Sequence, residues 1–166
     1  MVKGEYKEDK VLKTEDYFNE KLTFLIEENE QKQVLEKLAD ELHEKGYVKE
    51  TFKQAVLDRE EKFPTGLLID GIGVAIPHTD SIHVNKATIA VCILKEPVLF
   101  QHMVAKGEVV QVHLIFMLVI QDSSNQVHVL QSIINLLQDR QVINKMMKAT
   151  SKTDIVTMLK DYTRAS

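Results

Sequence analysis

The chain predicts an α/β fold, an α-β-α sandwich in which helices cover both faces of a central mixed β-sheet. Helix-period apolar residues occupy its first third, extended apolar runs fill its middle, and capped amphipathic segments close it. The run 109–120 is apolar at odd and even positions alike, as a central strand covered from two sides must be.

Each element follows from local pattern. Residues 1–20 mix Lys with Glu and Asp and carry few large apolar side chains, so they read as a polar leader, solvated or partly ordered, ahead of a single domain over 21–166. The short apolar stretch 22–26 suits an edge strand. A helix follows in which Val34, Leu35, Leu38 and Leu42 recur at helical spacing, with Gly46 as its stop. A second helix is expected over 49–61, where Phe52, Val56 and Arg59 stand at i, i+4 and i+7, so that a guanidinium shares the packing face near the helix C-terminus. Extended runs are expected at 66–69, 73–76, 87–94 and 109–120. Asp122-Ser123-Ser124-Asn125 is a turn and cap cluster, and Ser123 with Gln126 fits the S-x-x-Q capping box. The helix it opens is expected to pack through Val127, Leu130, Ile134 and Leu137. Two short helices finish the chain, the last capped by Ser151 and burying Ile155, Met158, Leu159 and Tyr162.

Composition narrows the function. With 166 residues, 44% hydrophobic and 28% charged, the chain suits one ordinary globular domain. A net charge of −4, no basic stripe and no tryptophan argue against a nucleic-acid partner. The longest apolar runs fall far short of the roughly 20 residues of a membrane helix, and the N-terminus carries no apolar signal segment, so a cytoplasmic location is expected. The single cysteine, Cys92, lies inside an apolar strand, which excludes an intrachain disulfide and a thiolate metal cluster.

Attention then falls on Gly73-Val74-Ala75-Ile76-Pro77-His78-Thr79-Asp80, an apolar run stopped by a proline that sets His78 down at a strand exit. Proline fixes its own φ and offers no N–H to a sheet, and it biases Ile76 towards an extended conformation. The other histidines read as bystanders. His43 and His128 lie on polar helix faces, His102 sits in a loop without a recognisable partner, and His113 alternates with Ile115 and Met117 as a partly buried structural ring. His78 and His83 share an H-x4-H spacing, but the segment between them is a turn and no third ligand lies near in sequence, so no metal site is expected. On the residues alone, a surface turn histidine is the simpler account of His78.

The segments Arg59-Glu60, Pro64-Thr65-Gly66-Leu67 and Gly73-Val74-Ala75-Ile76-Pro77-His78-Thr79-Asp80, in this order and spacing, resemble the IIA components of bacterial sugar phosphotransferase systems. Within them the chain is most similar to the galactitol branch of the fructose/mannitol superfamily, with likeness over about residues 20–162. The resemblance implies the IIA type-2, anion-transport-like fold. It also implies that His78 accepts a phosphoryl group from the phosphocarrier protein HPr and passes it to a cysteine of a IIB component, serving the membrane transporter IIC only indirectly. Arg59 matches the family arginine beside the active histidine. A neutral imidazole is a nucleophile near neutral pH, and transfer needs in-line placement with donors for the phosphoryl oxygens, which a guanidinium fork can supply. No cofactor, metal or nucleotide is implied, and the chain has no G-x4-G-K-[ST] loop.

One position departs from mannitol-type members, where a second histidine faces the active one; here alignment puts Gln126 there. Two roles are open to Gln126: capping partner of Ser123, or a group that hydrogen-bonds the phosphoryl group or orients His78. Thr79 and Thr65 are candidate phosphate-binding residues and equally candidate turn residues. The alternative function is a regulatory protein of the nitrogen-related IIA type, whose phosphorylation controls partner binding without moving a sugar.

Overall fold

In the computed structural model, residues 14–165 are described. Five strands form one mixed sheet: β1 (Thr23–Ile26), β2 (Gly66–Ile69), β3 (Ile72–Ala75), β4 (Thr88–Gln101) and β5 (Val109–Val119), in the spatial order β1-β4-β5-β3-β2. β1 runs parallel to β4 and β3 parallel to β5, whereas β4–β5 and β2–β3 are antiparallel pairs. Helices α1 (Gln31–Glu44) and α2 (Phe52–Lys62) lie on one face, and α3 (Ser123–Leu137), α4 (Arg140–Lys148) and α5 (Lys152–Ala165) on the other.

The two cores show why the middle of the chain is so evenly apolar. On β5, Ile115, Met117 and Val119 join the side chains of α1 and α2, while Leu114, Phe116 and Leu118 join those of α3, α4 and α5. β4 divides in the same way, with Ala90, Cys92 and Leu94 on the first face and Ile89, Val91 and Ile93 on the second. Cys92 is thus a core side chain, and burial pushes its thiol up to about 12, which keeps it protonated and unreactive.

Termini of the helices follow their local residues. α1 ends as expected at Gly46, whose φ of 83° lets Tyr47 N–H reach the Leu42 carbonyl and Gly46 N–H reach that of His43. Ser151 caps α5 by accepting the Asp154 N–H at 3.3 Å.

Several expectations need correction. The capping box on Ser123 does not form, because Asp122 caps α3 through its side chain, accepting the Ser124 N–H at 2.9 Å. The buried stripe of α3 is Val129, Ile133, Leu136 and Leu137, whereas Val127 is 68% exposed. Both stripes have helical spacing, and docking on the sheet selects between them. β4 runs through Lys95-Glu96-Pro97 to Gln101, absorbing the proline at an irregularity between Ile93 and Val98. His113 is the extra residue of a bulge, since Gly73 pairs with Val112 and Val74 with Leu114, and the alternation with Ile115 and Met117 is interrupted there. Of the expected leader, residues 1–13 lie outside the described residues, while Tyr17 and Phe18 are buried in the α3–α5 core.

β3 and β5 approach closely at Gly73, where an added Cβ would stand 1.8 Å from the Gln111 carbonyl oxygen. Backbone cannot yield as a side-chain tip can, so Gly73→Ala should lower stability by about 3 kcal/mol or more. Urea denaturation with the wild type alongside measures that loss.

Candidate functional site at the exit of strand β3

The hairpin β2–β3 turns through Asp70 and Gly71, both with positive φ, the conformation of a tight two-residue turn. It returns the chain through β3 and out past Ile76 and Pro77, both buried, to a half-buried His78. Three of the carbonyls along this exit are held. Ile76 C=O accepts a hydrogen bond from His78 Nδ1 at 2.8 Å, Pro77 C=O accepts the Leu118 N–H at 3.0 Å, and Thr79 C=O accepts from Gln126 Nε2 at 3.3 Å.

A carbonyl oxygen can only accept, so the proton of the neutral His78 ring sits on Nδ1 and the lone pair on Nε2. The His78 pKa lies below its ordinary value, mainly because burial disfavours the charged ring, with the Arg59 cation adding to that effect; the Ile76 carbonyl and Asp80 act the other way. Burial therefore biases the ring towards its neutral form.

His78 lines a cleft of about 650 Å³ whose walls include Arg59, Lys62, Thr65, His102, Lys106 and Leu130. Arg59, in the last turn of α2, stacks over the Phe63 ring at 4.5 Å, and Phe63 is itself 56% exposed at the cleft edge. Among the described residues no ion pair involves Arg59. The structure thus brings His78, Arg59 and Thr65 to one cleft, with Gln126 anchored beside it on the Thr79 backbone.

The other residues singled out by the sequence lie as follows. Thr65 is buried, and its hydroxyl is engaged: it donates to Glu60 Oε2 at 2.9 Å and accepts the Ile76 N–H at 3.1 Å. Thr79 is also buried, and it is its carbonyl that Gln126 holds. His83 turns away towards α2, where its Nδ1 lies 2.7 Å from the Thr51 hydroxyl. His43 and His128 are exposed.

Two residues escaped the sequence reading. His102, expected to be idle, follows β4 directly into the cleft wall, and its Nδ1 accepts the N–H groups of Val104 and Ala105, both at 3.0 Å. No motif marks it, and only the pairing of residue 102 with Gly66 brings it there. Glu60 is the second. The buried face of α2 continues from Phe52 and Val56 to Glu60, at i+8, and Arg59 lies half-buried at the edge of that face rather than on it. A carboxylate at a core position of the period was the available signal.

A domain with these layers, which delivers a histidine at a strand exit, belongs with the carrier domains of sugar phosphotransferase systems. More particularly, the family model described as the phosphoenolpyruvate-dependent sugar phosphotransferase system, EIIA 2, matches residues 16–162, and the chain belongs to that family. It is 28% identical over 130 residues to the galactitol-specific EIIA component of Escherichia coli K12, covering 78% of this chain and 83% of that protein. Among solved structures it is similar to the IIA protein PtxA of Streptococcus mutans, with a TM-score of 0.75, 20% identity, and coverage of 93% of this chain and 97% of the other. It is also similar to the Escherichia coli mannitol IIA enzyme, solved in complex with its phosphorylated IIB enzyme, with a TM-score of 0.70, 21% identity, and coverage of 85% and 95%.

Glu60 carries a testable electrostatic signature. Burial raises its pKa from 4.5 to about 7, against the lowering effect of the two hydrogen bonds from Thr65. Folding thus favours its protonated form, a contribution fully present below pH 4.5 and lost as pH rises through about 7. Glu60→Gln has no such proton, so the stability of wild type relative to this variant should fall by roughly 3 kcal/mol between about pH 4 and about pH 8. Paired urea denaturation curves at the two pH values provide the measurement.

Proposed function

We propose that the protein is the IIA phosphocarrier of a sugar phosphotransferase system, with His78 as its phosphoryl acceptor and galactitol or a related polyol or sugar as the transported solute. The observation that carries the reading is the bond from His78 Nδ1 to the Ile76 carbonyl, which leaves Nε2 as the lone-pair nitrogen of a ring lining a cationic cleft.

In the first step His78 Nε2 attacks the phosphorus of the phosphohistidine on HPr. The new Nε2–P bond forms as the donor P–N bond breaks, and the electron pair returns to the donor imidazole. In the second, a cysteine thiolate of the IIB component attacks, a P–S bond forms and the His78 P–N bond breaks. Arg59 supplies planar donors to the equatorial phosphoryl oxygens during both steps, and Lys62 and Lys106 add positive potential to the same wall. Gln126 steadies the Thr79 segment beside the ring. The galactitol relative supports the choice of solute, and the mannitol IIA–IIB complex supports a IIB partner.

Incubation with labelled phospho-HPr and then with candidate IIB proteins tests the reading. Label should enter the wild type and leave to one IIB, while His78→Ala should take up none. Arg59→Ala should slow uptake by roughly 10- to 1000-fold, the range for losing a donor to transition-state charge. His128→Ala, exposed on α3, should stay within about twofold of wild type. Label that enters but leaves to no IIB would favour the regulatory alternative.

The pH profile offers an independent check. Because the His78 pKa lies below 6.5, the ring stays neutral as pH falls past the ordinary histidine value. The acid limb of the phosphorylation rate should therefore fall below pH 6.5, and a single-turnover pH series reads it directly.

A further inference from the structure

We infer that Glu60 and Thr65 form a buried positioning pair that fixes the tautomer and orientation of His78, an inference that rests on His78 being the phosphoryl acceptor. The pair is sealed from solvent, Glu60 at 4% exposure and Thr65 at 2%.

Its hydrogen bonds form a chain with a defined direction. Thr65 donates twice to Glu60, from its N–H to Oε1 at 2.8 Å and from its hydroxyl to Oε2 at 2.9 Å. The Thr65 oxygen in turn accepts the Ile76 N–H at 3.1 Å, and the Ile76 carbonyl accepts the His78 Nδ1 proton at 2.8 Å. Ile76 lies one residue beyond the β2–β3 ladder, which ends with Gly66 opposite Ala75, so its N–H faces Thr65 with no ladder carbonyl to receive it. The Thr65 hydroxyl stands in for that missing partner.

The chemistry of residue 60 explains why a carboxylate is used. Once ionised, above about pH 7, the Glu60 carboxylate is acceptor-only, so it draws the Thr65 hydroxyl proton towards itself and turns the hydroxyl lone pair to Ile76. A neutral amide at position 60 could donate to the same oxygen and compete with the Ile76 N–H. Two successive residues thus have divided duties. Arg59 faces the cleft, and Glu60 faces inward to hold the segment that carries the nucleophile. Neither Glu60 nor Thr65 needs to touch the phosphoryl group in this role.

The test uses the full chain with 15N-labelled imidazoles. In the wild type the His78 signals should show the Nδ1–H tautomer as the dominant neutral form; a dominant Nε2–H tautomer would overturn the inference at once. Thr65→Val keeps the shape and the backbone donor but removes the hydroxyl, and should both mix the tautomers and slow phosphoryl uptake from phospho-HPr by about tenfold. Thr65→Ser returns the hydroxyl and should recover both readouts. Glu60→Gln tests the same chain from the other end, and decides the matter should Thr65→Val not fold; it should mix the tautomers too. Folded Thr65→Val or Glu60→Gln protein with an unaltered tautomer signal and unaltered uptake would refute the positioning role. A wild type that takes no label from phospho-HPr would instead defeat the phosphocarrier reading, while its tautomer spectrum still reports on the pair.

Discussion

The site depends on one short hydrogen bond, from the His78 ring to the carbonyl two residues before it. A histidine at the end of a strand can rotate about two side-chain torsions and carry its proton on either nitrogen. The bond to Ile76 removes both freedoms together, provided that the Ile76 carbonyl is itself immobile. Much of the surrounding structure serves that condition. Pro77 stiffens the backbone, Leu118 of β5 holds the Pro77 carbonyl, Gln126 of α3 holds the Thr79 carbonyl, and Thr65 holds the Ile76 amide. Thr65, just ahead of β2, is held in turn by Glu60 of α2, so the sheet and both helical layers contribute to the placement of one ring.

Charge is arranged by depth. In the cleft wall the cations Arg59, Lys62 and Lys106 outnumber the single carboxylate, Glu61, and an arriving anion can reach them. The carboxylate next to Arg59 in sequence points the other way, into a dry pocket with only hydroxyl and amide donors around its oxygens. Helical geometry makes this separation simple, because neighbours along a helix diverge by about 100°. A single turn of α2 thereby serves the surface of the site and its foundation.

The sheet and its coverage were legible because burial on both faces leaves the plain signature of an unbroken apolar run, as in residues 114–119 of β5. The strand exit was legible because Pro77 has a local effect that no tertiary contact reverses. Other features were set by contacts at a distance. Two apolar stripes of α3 fit the helical period equally well, and only docking against Ile89, Val91 and Phe116 exposes Val127 and buries Val129. The expected run 87–94 stops ahead of Lys95-Glu96-Pro97, yet β4 continues through them, since the pairing with β5 tolerates an irregularity there. Glu60 entered only as part of the Arg59-Glu60 motif, although it continues the Phe52 and Val56 face, and His102 looked like an isolated loop residue. His102 takes its place from Gly66, which has no side chain to hold β2 and the end of β4 apart.

The anchored ring has a kinetic corollary. Some carriers move cargo by swinging a flexible arm between stations, but an imidazole pinned through one nitrogen offers its cargo along a single approach corridor. On the proposed function, donor and recipient must therefore occupy that corridor in succession, and neither can queue behind the other while the first remains in place. Throughput would be governed by how quickly each visitor vacates, which favours brief, weakly held encounters over tight assemblies.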